Sequence, residues 1–448
     1  MRIVIFSTNS NHFDGKKIST KNIPTCKGQL DELCKKHGDC SFSIVTQLPG
    51  TFLLDLEGDT PAEKSEQVEY TLVPDDKSSP KEIADIIAEK KPDIAIAATF
   101  WVDPFDWLSV KDGLVAEKLR EMGIKTIAHP TEAGIDCFDK FRTHKLMERI
   151  GLNMAKSVYV HHWLFMCAGT KGVVRENVYE EHVMEKIRSM RFPVIIKDTV
   201  GLSSYGMQVV GTYEEADRFL HSKRNSSDRI VEEFMDGEQF GAEIHGTKGH
   251  YKILPPMMFS VNQYGITSPK QSVKIGPVAD EKYKTDELKA MLEKLANALK
   301  LSGIAQVDLV FSGGEWYIIE VNPRISGMTS AYAAAEGKTM AETITEAAFE
   351  EENPMPPEKM RKVMNFKLPL LPQALMKKIS GYSFVSQVTQ IENYAATQKR
   401  EVGYAEVIMT GGTFEELMEN LKKLKEDLPE AIEDIFFENA AKIIDKLS

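Results

Sequence analysis

Residues 305–330 read AQVDLVFSGGEWYIIEVNPRISGMTS. The apolar, β-branched runs AQVDLVF and WYIIEV flank Ser312-Gly313-Gly314-Glu315, which predicts two antiparallel strands joined by a tight glycine loop. A three-residue loop centred on Gly314 would set Asp308 opposite Glu320 on one sheet face, and the two-residue period of a strand adds Asn322 to it. Magnesium is a hard cation that takes one or two protein carboxylates, keeps some water and completes its shell with substrate phosphates. Asp308, Glu320 and Asn322 are therefore the candidate metal ligands. Acidic hairpins with Gly-Gly turns are common, so the pattern gains weight only from what surrounds it.

The chain is 448 residues long, enough for two to four domains and a large core. A formal net charge of -12 opposes binding to nucleic-acid backbones or anionic membranes, so neither is an expected partner. Five cysteines, an odd number without a C-x-x-C pair, argue against a disulfide framework or a zinc ribbon and fit a reducing cytoplasm. Cys34, His37 and Cys40 lack a fourth ligand at sensible spacing and read as ordinary side chains. The opening MRIVIFSTNSN has no long apolar region or cleavage site and reads as a first strand, and no run of eighteen apolar residues occurs.

Residues 1–135 alternate strand-like runs (RIVIF, FSIVTQL, DIAIAAT, KTIAH) with helix-like ones (KEIADIIAEK, GLVAEKLREMG), which predicts a Rossmann-like domain with a parallel sheet. No G-x-G-x-x-G follows the first strand, so the nucleotide is expected elsewhere. Residues 49–80 are rich in charge, Pro and Gly and read as a hairpin with loops. Phe100, Trp101, Phe105 and Trp107 follow a strand's C-terminal end, where open α/β sheets place ligands; packing is the stronger reading for them.

Asp139-Lys140 opens a helix with an apolar stripe at Phe141, Leu146, Met147 and Ile150, and Gly151 ends it. A lysine at a helix start opposes the helix dipole, which invites a functional explanation. Lys197, in the strand VIIK, shares a face with Ile195; a lysine facing a core needs an anion, and phosphate fits. The loop after it, residues 201–207, brings glycines and hydroxyls, with Ser203, Ser204 and Gly206 able to approach phosphate oxygens as a flap. RIVEEF then runs into Met235-Asp236-Gly237-Glu238-Gln239. After Asn322, the forked guanidinium of Arg324 could hold a carboxylate, an acyl phosphate or an oxyanion, with the Gly327 N–H as a second donor.

Lys140, Lys197 with its Gly/Ser loop, the Glu232–Gln239 segment and the hairpin, in this order and spacing, resemble the ATP-grasp superfamily of carboxylate-activating enzymes, over roughly residues 138–347. The resemblance is to the carboxylate–amine ligase type, with an L-amino acid ligase or biotin carboxylase-like grasp domain. It implies an α/β fold of three parts: a Rossmann-like pre-ATP-grasp domain (1–135), a two-subdomain ATP-grasp domain (136–350) and a small α+β C-terminal domain (351–448), to which no chemistry is assigned. The nucleotide-clamping subdomain would be about 155–235 and the metal and acceptor subdomain about 236–350.

In that family Lys140 would reach the ATP phosphates, Glu232 would accept from the adenine amine, and Glu233, Phe234 and Met235 would form the hinge against the ring. Gln239 stands where a ribose-binding glutamate is usual, with Glu243 as fallback, and Asp198 replaces the proline expected after Lys197. Residues 253–278 carry Lys270 and Lys274, and the resemblance gives Lys270 the task of bringing a cation to the acceptor. The G-M-T-S run resembles D-alanine-D-alanine ligases, but Gln306 replaces their arginine, which favours the broader amino-acid ligase type using Arg324. The implied cofactors are ATP and Mg2+, with Mn2+ as a substitute. The implied reaction is amide formation through an acyl phosphate from a small carboxylate and an amine, amino acids foremost, in a monomer or homodimer. A bicarbonate-activating carboxylase and a non-catalytic nucleotide-binding scaffold are the alternatives.

Overall fold

In the computed structural model, residues 1–8, 16–58, 60–100, 108–167, 174–200, 207–261, 272–349, 355–395 and 400–447 are described. Ser203, Ser204 and Gly206 of the expected flap, Lys270, and Trp101, Phe105 and Trp107 of the aromatic cluster lie outside these residues.

The N-terminal part forms a five-stranded parallel sheet in the order Val68–Leu72, Ser41–Thr46, Arg2–Ser7, Ile94–Ala97, Lys125–Ile127. The alternation of the central strand explains why both faces are covered. Ile3 and Ile5 pack with Leu30 and Leu33 of the helix Cys26–Lys36. Val4 and Phe6 pack on the other side with Ile83 and Ile87 of Pro80–Glu89 and with Val115 and Leu119 of Leu108–Glu121. A continuous apolar run is what a strand buried on both faces requires. The stretch read as hairpin and loops holds the short pair Leu56–Glu57 and Thr60–Pro61, and also supplies the edge strand Val68–Leu72.

A second, antiparallel sheet has the order Gln208–Val210, Val194–Asp198, Arg229–Glu233, Ser157–Val160. Val194 and Ile196 face the helices Val178–Arg188 and Tyr213–Leu220, meeting Val183, Ile187, Ala216 and Leu220. The period of two then sends Ile195 and Lys197 to the opposite side, into the central cavity.

The third sheet is the largest and antiparallel, with twelve strands among the described residues. It runs from Glu315–Asn322 through Gly303–Ser312, Glu238–Thr247, Met257–Phe259, Val273–Gly276, Lys362–Leu368 and Arg400–Gly411 to Val385–Ala395. Lys16–Ile23 then joins it along eight residue pairs, so an excursion from the N-terminal part and the C-terminal strands extend one surface. The helices Thr285–Leu299, Phe414–Asp427 and Asp434–Leu447 share the main core behind it. Gly327–Glu336 packs on the other face through Met328, Ala331 and Tyr332. No helix among the described residues is long and apolar enough to cross a membrane.

Candidate active site

The hairpin that organises the sequence forms, with a turn one residue shorter than its composition predicts. Ser312 pairs with Glu315, leaving a two-residue turn of Gly313 and Gly314 at φ +60° and +83°. Two successive positive φ values favour glycine and match the twist of the flanking strands. An uninterrupted ladder from that turn would oppose Asp308 to Ile319. A bulge between Asp308 and Leu309 in the pairing inserts Ile319 as an extra residue and restores Asp308 opposite Glu320 and Gln306 opposite Asn322. The expected pairing is thus present, through a turn and a bulge in place of a three-residue loop.

Directly opposed residues share a sheet face, so the ladder can be followed across the third sheet. Asp308 opposes Gly241, and Gln239, two residues away, opposes Phe259. Phe259 opposes Lys274, Lys274 opposes Asn365, and Lys367, two residues on, opposes Glu406. One face therefore carries the facing carboxylates at one end and two lysines towards the other. Gly241 is fixed by close approach, since a Cβ there would lie 2.4 Å from Phe259 Cζ and 2.6 Å from Met328 Sδ.

This face, the Lys197 side of the second sheet and the helix Lys140–Ile150 enclose a cavity of about 300 Å3. Of the expected site residues that are described, all line it: Lys140, Lys197, Glu232, Glu233, Phe234, Met235, Gln239, Asp308, Glu320, Asn322, Arg324 and Gly327. Phe100 lines it as well, brought in by a parallel bridge to Ile325 that ties the end of the parallel sheet to the segment after Asn322.

Asp139 caps the helix by accepting from Phe141 N at 2.9 Å, and Lys140 N donates to Thr199 O at 2.8 Å, so the first turn is anchored to the end of the Lys197 strand. The Lys140 ammonium lies 3.0 Å from Glu320 Oε1. Four residues on, on the same helix face, His144 meets Glu232 Oε1 at 2.7 Å and Ser157 Oγ at 3.1 Å. Lys197 forms a short ion pair with the other oxygen of Glu232. Burial alone would raise the Glu232 carboxyl, but Lys197 and His144 hold it down to about 2. Both oxygens of Glu232 are thereby engaged, and Phe234 N–H is also taken, by Pro193 O at 3.0 Å.

Gln306 Nε2 donates to Asp308 Oδ1 at 2.8 Å, and Asn322 Oδ1 accepts from Arg324 Nη2 at 3.3 Å. Burial and the facing Glu320 push the Asp308 carboxyl up to about 6. A divalent cation between the two carboxylates would relieve that repulsion. Among the described residues no three His, Cys, Asp or Glu side chains cluster as a cation cage. Two carboxylates and an amide, leaving positions for phosphate oxygens and water, fit Mg2+ and not a closed structural site.

Two residues singled out from the sequence have their carboxylates engaged by neighbouring side chains. Asp198, which opposes Arg229, pairs with its guanidinium at 2.8 Å and accepts from Ser227 Oγ. Glu243, fully buried, accepts from Ser326 Oγ at 2.8 Å, Thr329 Oγ1 at 2.7 Å and His245 Nε2 at 2.8 Å, fixing the start of the helix Gly327–Glu336. It is therefore no fallback ribose contact.

The residues missed in the sequence are His144, Lys367 and Tyr404, which line the cavity together with Lys274, named beside Lys270 but given no role. His144 was readable from its spacing of four after Lys140. Asn365 and Lys367 alternate with the buried Met364, Phe366 and Leu368, a strand signal, but nothing in the sequence says that this strand joins the hairpin's sheet. The C-terminal part, to which the sequence assigns no chemistry, places Lys367 and Tyr404 on the cavity wall through that continuity.

Residues 137–328 match the family model described as ATP-grasp domain. The large chain of carbamoyl phosphate synthase from Thermotoga neapolitana is 23% identical over 265 residues, 58% of this chain and 22% of that one. Its C-terminal section from Aquifex aeolicus is 22% identical over 60% of this chain and 46% of that entity. The chain thus spans less than half the length of these curated relatives. Among solved structures, L-amino acid ligase from Bacillus licheniformis superposes with a TM-score of 0.63 at 17% identity, covering 95% of this chain and 97% of that one. The biotin carboxylase domain of Hydrogenobacter thermophilus 2-oxoglutarate carboxylase, solved as a dimer with MgADP, ADP and bicarbonate, gives 0.60 at 14% identity, covering 96% and 90%. At such identities the likeness concerns the fold, and it extends over nearly the whole chain. Lys140, Lys197, Glu232, Asp308, Glu320, Asn322 and Arg324 all fall within the matched segment, and residues 137–328 of this chain are an ATP-grasp domain.

Proposed function

We propose that the protein is an ATP-dependent carboxylate–amine ligase, which phosphorylates a substrate carboxylate and passes the acyl group to an amine, releasing ADP and phosphate. The observation that carries this reading is the convergence in one cavity of facing carboxylates, two lysines on separate walls and a forked arginine beside the carboxylates. Positioning and charge neutralisation dominate phosphoryl transfer, and no protein nucleophile is needed.

In this reading Lys140 and Lys197 hold the phosphates, with Ser203, Ser204 and Gly206 closing over them. Glu232 acts by fixing Lys197 and His144, both of which it contacts, while the hinge backbone at Glu233–Met235 and the Gln239 amide meet the nucleoside. Asp308, Glu320 and Asn322 hold Mg2+, for which Mn2+ can substitute; the metal supplies neutralisation of charge on the phosphates. Arg324, at the edge of the metal ligands, takes the substrate carboxylate, with the Gly327 N–H and Lys270 as further donors. Residues 1–135, 136–350 and 351–448 are taken as pre-grasp, grasp and C-terminal domains. The partners are a small acid and an amine, amino acids foremost given the likeness to an L-amino acid ligase, and the dimeric biotin carboxylase domain makes a homodimer worth testing by light scattering.

A second reading, bicarbonate as the activated acid, is supported by the likeness to carbamoyl phosphate synthase and to a biotin carboxylase domain solved with bicarbonate. A scaffold without turnover has against it the intact carboxylate pair. Screening acids and amines for ADP release separates the three. The ligase needs both substrates, the carboxylase needs bicarbonate, and the scaffold releases none with any pair.

A further inference from the structure

The cavity is lined by two lysines beyond those given above to the phosphates and beyond the arginine given to the activated carboxylate. Beyond Arg324, Lys274 on Val273–Gly276 and Lys367 on Lys362–Leu368 both line the cavity from the same sheet face. Among the described residues, neither forms an ion pair with a carboxylate. Their ammonium groups lie over ring faces, Lys274 at 5.0 Å from the Phe259 centroid and Lys367 at 4.1 Å from that of Tyr404. Ring faces hold a cation only weakly compared with an anion.

The carboxylate best placed to neutralise them is turned elsewhere. Glu406 opposes Lys367 across the ladder, but its oxygens lie against Gly327, where a Cβ would be 3.0 and 3.1 Å from them. Its charge therefore rests at the N-terminus of the helix Gly327–Glu336, a favourable place for an anion. Burial first, and then the neighbouring Lys367, depress the Lys274 ammonium from its ordinary range, a shift that the more distant charges of Glu406, Asp308 and Glu243 oppose without cancelling.

Position separates the far end of this pair from the activation centre. Lys274 stands within electrostatic reach of Asp308, whereas from the Asp308 strand to the Lys367 strand there are four steps across the sheet, about 19 Å of backbone at about 4.8 Å per step. A single carboxylate held at Arg324 and the metal ligands does not reach Lys367. We propose that Lys274 and Lys367 form a second anion subsite, which receives a carboxylate of the substrate pair other than the one being activated. The proposal rests on the ligase reading for its description of the first carboxylate. The second has two chemical sources: the carboxylate of an amino acid serving as the amine, or the far carboxylate of a dicarboxylic acid.

The test is calorimetric titration of the full chain with Mg2+ and a non-hydrolysable ATP analogue present. The probes are the standard L-amino acids and a series of aliphatic dicarboxylates, each compared with its carboxamide. In at least one class, amidation of the second carboxylate is expected to weaken binding by roughly 10- to 100-fold, the usual effect of losing a hydrogen bond to a charged group. Lys274→Met and Lys367→Met should erase that difference while nucleotide affinity and the melting curve show that the fold persists. A loss confined to amino acids assigns the subsite to the amine, and a loss confined to dicarboxylates assigns it to the acid.

Equal affinity of acids and amides in both classes, absence of binding by every probe, or variants that keep the wild-type preference would overturn the proposal. The comparison of probes on the wild-type chain does not depend on either variant folding. The ligase reading fails independently: carboxylate-dependent binding without ADP release from any pair would remove the ligase and leave the subsite. ADP release equally fast with uncharged amines and monoacids would remove the subsite and leave the ligase.

Discussion

Lys140 Nζ lies 3.0 Å from Glu320 Oε1, joining the first turn of one helix to the hairpin that carries the facing carboxylates. The two groups are only 15% and 26% exposed, so their attraction is less screened than that of a surface pair. An ammonium that donates to a carboxylate here can donate in the same way to a phosphate brought beside it, since both are charge-assisted hydrogen bonds.

Lys140→Met should therefore weaken the binding of Mg·ATP by roughly 10- to 100-fold, by loss of a charged hydrogen-bond donor to phosphate. Nucleotide titration by calorimetry reads this directly. Unchanged affinity would mean that Lys140 serves only as a structural partner of Glu320.

Glu320→Gln should cut ADP release by about 10²- to 10³-fold, comparable to loss of one preorganised charge-stabilising group. The melting curve should show a retained fold, since the carboxylate faces a cavity and not the core. Near-normal turnover would remove Glu320 from the metal site.

Arg324→Ala separates acceptor from nucleotide. Arg324 Nη2 approaches Asn322 Oδ1 in the segment that follows the facing carboxylates, whereas Phe234 and Met235 follow the strand Arg229–Glu233 of the second sheet. Binding of ATP should stay within about threefold, while acid-dependent ADP release is lost by roughly 10³-fold or more. An equal fall in nucleotide affinity would make Arg324 a phosphate ligand.

The charged centre was legible because its spacing rules are local. Helix capping by Asp139, strand alternation at Lys197 and the pairing of Asp308 with Glu320 each follow from residues within one or two elements. Even there the pairing arises by a route the composition does not announce. Gly-Gly as a two-residue turn needs a bulge at Ile319 to bring the carboxylates opposite, and bulges have no strong sequence signal. What escaped the sequence was long-range. The strand of Lys367 begins 50 residues beyond the end of that of Asp308, and its place beside Val273–Gly276 is set by packing of Met364 and Phe366 into the shared core. Lys16–Ile23 was unreadable for the same reason, since its partner strand, Val385–Ala395, lies at the other end of the chain.

The buried triad of Glu232, Lys197 and His144 has a pH signature. The Glu232 carboxyl is depressed from 4.5 to about 2, so its contribution to stability is present above pH 4.5 and is lost as pH falls towards 2. The shift corresponds to about 3 kcal/mol as an order of magnitude. At neutral pH, Glu232→Gln should destabilise the chain by about 3–5 kcal/mol, because it leaves Lys197 buried without its counter-ion. Urea unfolding of both proteins should show this gap narrowing below pH 4.5. A gap independent of pH would indicate that the loss is one of packing and not of charge.

The central claim is that a substrate carboxylate attacks the γ-phosphorus of ATP, and its most direct test follows the oxygen. Once acid and amine substrates are found by ADP release, the acid is prepared with heavy oxygen in the carboxylate and one turnover is followed by mass spectrometry of the inorganic phosphate. Attack by a carboxylate oxygen leaves that oxygen bonded to phosphorus, and the amine then breaks its bond to the acyl carbon. One labelled oxygen should appear in phosphate, with ADP as the nucleotide product. Release of AMP and pyrophosphate with the label in AMP, or unlabelled phosphate from a productive pair, would contradict the acyl-phosphate route and with it the role given to Arg324.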